Sequence, residues 1–145
     1  MTLRAEVEDV TFARFVAQSL TTRNLLIATA LIELGAGLAL LCVPGTAVQL
    51  LAGVSLDNLA ATSLIRVAGA ALIALGGACW MVGDETKTRA AKGLLAAMMF
   101  YNVATAAILA HAGIGLHLQG ILLWPGVALH TTMAVWCTRR FRCHL

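Results

Sequence analysis

Residues 24–43 read NLLIATALIELGAGLALLCV, and this stretch decides what kind of protein the chain is. It matches the roughly 20 apolar residues that a helix needs to cross a hydrocarbon core. Its single carboxylate, Glu33, falls near the middle. A carboxylate at that depth costs several kcal/mol unless it is paired, neutralised or wetted, and marks a functional-site hypothesis by default. The remainder of the chain reads as the surroundings that make this carboxylate tolerable.

Composition points to lipid as the solvent. The 145 residues are 60% hydrophobic and 12% charged, whereas a water-soluble domain carries roughly 25% charged residues. The charges fall in clusters separated by long neutral runs, leaving Glu33, Arg66 and Asp57 outside them. One polytopic membrane domain, 1–145, accounts for the whole chain. The net charge of +3 does not indicate nucleic-acid binding, because the basic residues stand where membrane topology needs them. The acidic N-terminal segment, with Glu6, Glu8 and Asp9 as a wet face, does not fit a cleavable signal peptide. Cys42, Cys79 and Cys137 lie in or beside apolar runs and read as packing residues, with no metal-ligand spacing.

The fold expected is all-α: an up-down bundle of four transmembrane helices preceded by a short interfacial N-terminal helix. Residues 1–23 form the cytoplasmic and interfacial segment, in which Ser19, Thr21 or Thr22 would cap the first span. The spans run at about 24–43, 62–83, 93–115 and 121–137, followed by a basic cytoplasmic tail, 138–145. The second is open to an earlier start capped by Ser55 or Asp57. Residues 45–61 are too apolar for a free loop and read as a short helix on the membrane surface. Pro125 reads as an entry bend in the last span, where a missing amide matters little.

Apart from Arg66, Lys and Arg occur in the N-terminal segment, the connection holding Lys87, Arg89 and Lys92, and the tail holding Arg139, Arg140 and Arg142, and the other two connections contain none. Short basic loops stay in the cytoplasm, so both termini are expected inside. The expected location is a bacterial inner membrane. Asp84 and Glu85, beside Lys87, read as a solvated loop.

Helical spacing places Glu33 with Leu26, Thr29, Ala30, Ala36, Gly37 and Leu40, and Arg66 with Thr62, Ser63, Gly69, Ala70, Ile73 and Gly77. His111 shares a face with Phe100, Ala104 and Ala107, and His130 with Val127, Met133 and Cys137. Small residues on such faces mark helix–helix contacts, so Glu33, Arg66, His111 and His130 are expected to line an interior ligand pocket. Helical rise puts Glu33 and His130 about 15 Å below the outer helix ends. The same rise puts Arg66 and His111 roughly 6 Å down. Glu33 is then level with His130, and Arg66 with His111. Asn102 falls on the opposite side of its helix from His111, where a homo-oligomer contact or another membrane protein would meet it.

A carboxylate beside a histidine suits proton relay or acid–base work, which makes Glu33 and His130 the catalytic candidates. The pocket suits a lipid or quinone-like molecule, and the level mismatch of the histidines argues against haem. The leading expectation is a non-enzymatic accessory or assembly subunit. Its alternatives are a homodimeric proton-coupled transporter using Glu33, and a membrane enzyme using the Glu33–His130 pair. A purely structural buried network is the plain alternative to all three. Ala30-Leu31-Ile32-Glu33-Leu34-Gly35 resembles the first helix of small multidrug resistance transporters, which implies proton-coupled export at Glu33. The long N-terminal segment, residues 44–61 and Arg66 depart from that pattern.

Overall fold

The computed structural model describes residues 2–83 and 88–143, with side chains over 22–83 and 88–142. The described residues form five helices: α1 (Thr2–Cys42), α2 (Pro44–Ala52), α3 (Leu59–Val82), α4 (Arg89–Ile114) and α5 (Leu123–Cys143). The expected solvated loop at Asp84, Glu85 and Lys87 lies outside the described residues, as do the side chains of Glu6, Glu8 and Asp9.

The N-terminal segment is not a separate interfacial helix. It is the first half of α1, which runs unbroken from Thr2 to Cys42. The physical reason is the absence of any breaker, since the first glycine of the chain is Gly35 and the first proline Pro44. Thr21 and Thr22 therefore lie inside a helix instead of capping one. At 1.5 Å per residue α1 is about 60 Å long, about twice a hydrocarbon core, so half of it lies beyond any single span.

The later breaks have local causes. Pro44 takes the first position of α2, where its missing amide is harmless. Gly53 ends α2 in the left-handed region at φ 75°, its amide donating to the Gln49 carbonyl at 2.9 Å. Asn58 caps α3: its Oδ1 accepts from the amides of Ala60 at 2.8 Å and Ala61 at 3.1 Å. Ser55 instead donates to Asp57 at 2.7 Å, so neither expected cap is used. Thr88 caps α4 through the Ala91 amide.

α1 from Thr22, α3 and α4 are long and apolar enough to cross a membrane. α5 has the length but carries His130-Thr131-Thr132 at its middle and Arg139-Arg140 near its end. Large apolar side chains cover the outside, including Leu59, Met81, Phe100 and Ile121, each at least three-quarters exposed. Such a surface suits lipid and not water.

The helices associate as two antiparallel pairs, α1 with α3 and α4 with α5. The first pair touches backbone to backbone. A Cβ on Gly37 would lie 2.7 Å from the Gly69 carbonyl oxygen, and one on Gly69 equally close to that of Gly37. Gly76 likewise faces the Ala30 carbonyl. This is the close approach that small residues permit in membranes. The second pair meets through larger groups, with Leu109 against Gly126 and Trp124 against Gly113. Between the pairs, α1–α5 and α3–α4 contacts are sparse. The level pairing of the first span with the fourth and the second with the third relied on those contacts.

What joins the pairs is a core at one end, built of Leu25, Leu26, Ala30 and Cys79 against Leu95, Met98, Met133 and Cys137. Cys79 and Cys137 are free thiols packed in it, whereas Cys42 is exposed. Towards the opposite end the pairs part, and α2 closes the gap. The Leu122 amide donates to the Leu50 carbonyl at 2.9 Å, and Gly120 sits against the backbone of Leu51 with no room for a side chain.

Candidate functional site

Where the core ends, the bundle holds a cavity of about 340 Å³. Its walls are mostly leucine and alanine from all five helices, including Ala39, Leu50, Leu72, Leu109 and Leu129, with Leu122 from the turn before α5. Four residues supply polarity: Glu33 from α1, Tyr101 and Thr105 from α4, and His130 from α5. An apolar cavity of about 300–1,000 Å³ with a few converging polar groups is the usual form of a small-molecule site.

Glu33 is carried inward by the stripe Thr22, Leu25, Leu26, Thr29, Ala30 and Gly37, all buried with it. It is 2% exposed. The Tyr101 phenol donates to its Oε2 at 3.1 Å, and the Thr105 hydroxyl, one turn further along α4, lies within reach of the same phenol. The Tyr101 and His130 rings meet edge to face, with centroids 5.7 Å apart and planes at 83°. Behind His130, its Nδ1 lies 2.8 Å from Asn102 Oδ1. The Asn102 amide Nδ2 donates back to the Met98 carbonyl at 2.8 Å.

Two of the four pocket residues read from the sequence, Glu33 and His130, line this cavity. They do not bond each other, because Tyr101 stands between them. Arg66 and His111 are elsewhere. Arg66 is exposed on the flank of α3, and His111 is exposed one turn from the end of α4. Asn102, expected on an outer face against a partner, is 1% exposed and held inside. The face of α4 turned inward is Ala91, Leu95, Met98 and Asn102. Small residues predicted the other face. That rule describes α1 and α3, whose backbones touch, but not α4 and α5, which meet through bulky side chains.

Tyr101 and Thr105 are the site residues that sequence reasoning missed. A signal exists: Tyr101 is the only tyrosine in the chain, placed mid-span beside Asn102 with Thr105 one turn away. A second buried polar group, the Thr29 hydroxyl, lies one turn from Glu33 and has no hydrogen-bond partner among the described residues.

Chemically, the site offers a carboxylate, a phenol, a hydroxyl and an imidazole in an apolar chamber. Among the described residues, no three His, Cys, Asp or Glu side chains gather to hold a metal ion. In comparisons with family models, curated proteins and solved structures, nothing matches this chain.

Proposed function

We propose that this chain is a small non-enzymatic integral membrane protein, an accessory or assembly subunit, that holds a lipophilic molecule between its two helix pairs. The observation carrying this reading is the cavity itself, apolar along its walls and polar where Glu33, Tyr101, Thr105 and His130 converge.

In this reading α5 is a fourth span. It packs antiparallel along α4, and its hydroxyls and its imidazole are satisfied internally. Thr131, Thr132 and Thr138 donate to the carbonyls of Val127, Ala128 and Ala134 at 2.7–2.8 Å, and His130 has Asn102. Hydroxyls returned to their own helix lose most of their cost in lipid. With antiparallel pairs, Arg23, Arg89, Lys92 and Arg139 fall at one end of the bundle, which supports cytoplasmic termini.

The experiment is to purify the protein in mild detergent, extract it with organic solvent and identify what co-elutes. The expected result is a lipophilic molecule at about one per chain, lost when Ala39→Phe or Leu122→Trp fills the cavity. An extract no different from that of the filled variants removes the reading.

The opening of Glu33 onto the cavity favours a second reading, a proton-coupled carrier of small hydrophobic compounds. Flux driven by a pH gradient in proteoliposomes, abolished by Glu33→Gln in a protein that still folds, would move the conclusion there.

A further inference from the structure

The hydrogen-bond directions around the cavity decide what kind of head group it accepts, given the ligand-binding reading above. A backbone carbonyl only accepts, so the contact with Met98 fixes which end of the Asn102 amide is NH₂. Its oxygen is then the atom facing His130 Nδ1. That oxygen also only accepts, so Nδ1 carries the imidazole hydrogen. In neutral His130, Nε2 is left as a bare acceptor.

The same accounting applies to the other polar lining. The Tyr101 hydrogen is used on Glu33. The phenol has one hydrogen, so the Thr105 hydroxyl, within reach of the same phenol, can meet it only by donating to the phenol oxygen. Glu33, when ionised, has only acceptors, and Tyr101 occupies one of its two oxygens. With Glu33 ionised and His130 neutral, the donors of the lining are taken up inside the protein, while Glu33 and His130 Nε2 keep lone pairs to offer. The cations of the neighbourhood do not alter this balance, because Arg66 and His111 lie outside the cavity.

We infer that the cavity selects lipophilic molecules whose head donates hydrogen bonds, an alcohol or a protonated amine, over molecules whose head only accepts, such as a ketone or a carboxylate. An accepting head would face lone pairs in a low-dielectric chamber with nothing to receive it. A quinol fits this rule and its oxidised quinone does not.

The test uses four probes with one tail: decylamine, decanol, 2-decanone and decanoate. Binding to the full chain in phosphatidylcholine nanodiscs is read as the ligand-induced rise in unfolding temperature, with Ala39→Phe and Leu122→Trp correcting for partition into lipid. Decylamine and decanol are expected to half-saturate at concentrations at least about tenfold below the other two, the equivalent of one buried hydrogen bond. Glu33→Gln, which removes the carboxylate charge, should weaken decylamine more than decanol. Independently, ¹⁵N spectra of the imidazoles should show His130 protonated at Nδ1 and bare at Nε2. Equal binding of all four, preference for the ketone or carboxylate, or an Nε2–H tautomer overturns the inference and leaves the cavity reading standing. No probe binding above the filled variants overturns both.

Discussion

Tyr101 on α4 donates its phenol hydrogen to Glu33 on α1 across 3.1 Å, joining the two helix pairs at the level where the packed core gives way to the cavity. Removing that donor leaves Glu33 buried without its protein partner. Tyr101→Phe is expected to lower stability by about 1–3 kcal/mol, the usual cost of orphaning a buried polar group. Thermal unfolding in detergent measures it, and an unchanged midpoint would show that the bond contributes nothing.

The α1–α3 seam has no space for a methyl group at its crossing. Gly69→Ala and Gly37→Ala each push a Cβ against a backbone carbonyl, and overpacking of this kind costs about 1–3 kcal/mol. Gly35→Ala and Gly77→Ala are the matched controls, since nothing lies within 4 Å of a Cβ at either. Both controls should keep or raise the unfolding midpoint, because alanine favours a helix interior over glycine by about 1 kcal/mol. Equal losses at all four positions would rule out a contact-specific effect.

Thr29 carries a buried hydroxyl with no partner among the described residues. Thr29→Val removes the unsatisfied group while nearly preserving shape, so stability should hold or rise by about 1 kcal/mol. A clear loss would mean that the hydroxyl has a partner in solution.

Asn102 and His130 are bonded at 2.8 Å. A double-mutant cycle with Asn102→Ala and His130→Ala should show coupling of about 0.5–3 kcal/mol. Arg66 and Glu33 have no such link, because Arg66 is exposed on the flank of α3. Arg66→Ala and Glu33→Gln should therefore add within about 0.5 kcal/mol, and recovery in their double mutant would contradict the separation seen here.

Much of the fold was legible because lipid imposes simple rules. Hydropathy marks the three helices able to cross a membrane, and Pro44 forecasts the break between α1 and α2. The inward face of α1 was legible in part, since Leu26, Thr29, Ala30 and Gly37 are buried with Glu33, while Leu40 on the same face is half-buried and Ala36 is exposed. α4 was not, because Asn102 and His111 lie on opposite sides of it and spacing cannot say which side faces in. Choosing by small residues selected His111 and lost Tyr101, since a phenol reads as a generic aromatic until a carboxylate is found opposite it. The run of α1 through residue 23 was hidden by polar residues that look like caps but sit among good helix formers.

The bond between Leu122 and Leu50 ties the connection of one hairpin to the connection of the other. α2 belongs by sequence to the α1–α3 hairpin, yet it is stitched to the entry of α5, so the molecule is sewn shut along that edge. Spreading the two hairpins there would break this backbone bond and pull Gly120 from the backbone of Leu51. The sides, where α3 meets α4 and α1 meets α5 only lightly, have no comparable stitch. Under the proposed ligand-holding role, the least resistant doorway to the chamber therefore faces the acyl chains, and the bilayer instead of the water above it would supply the ligand.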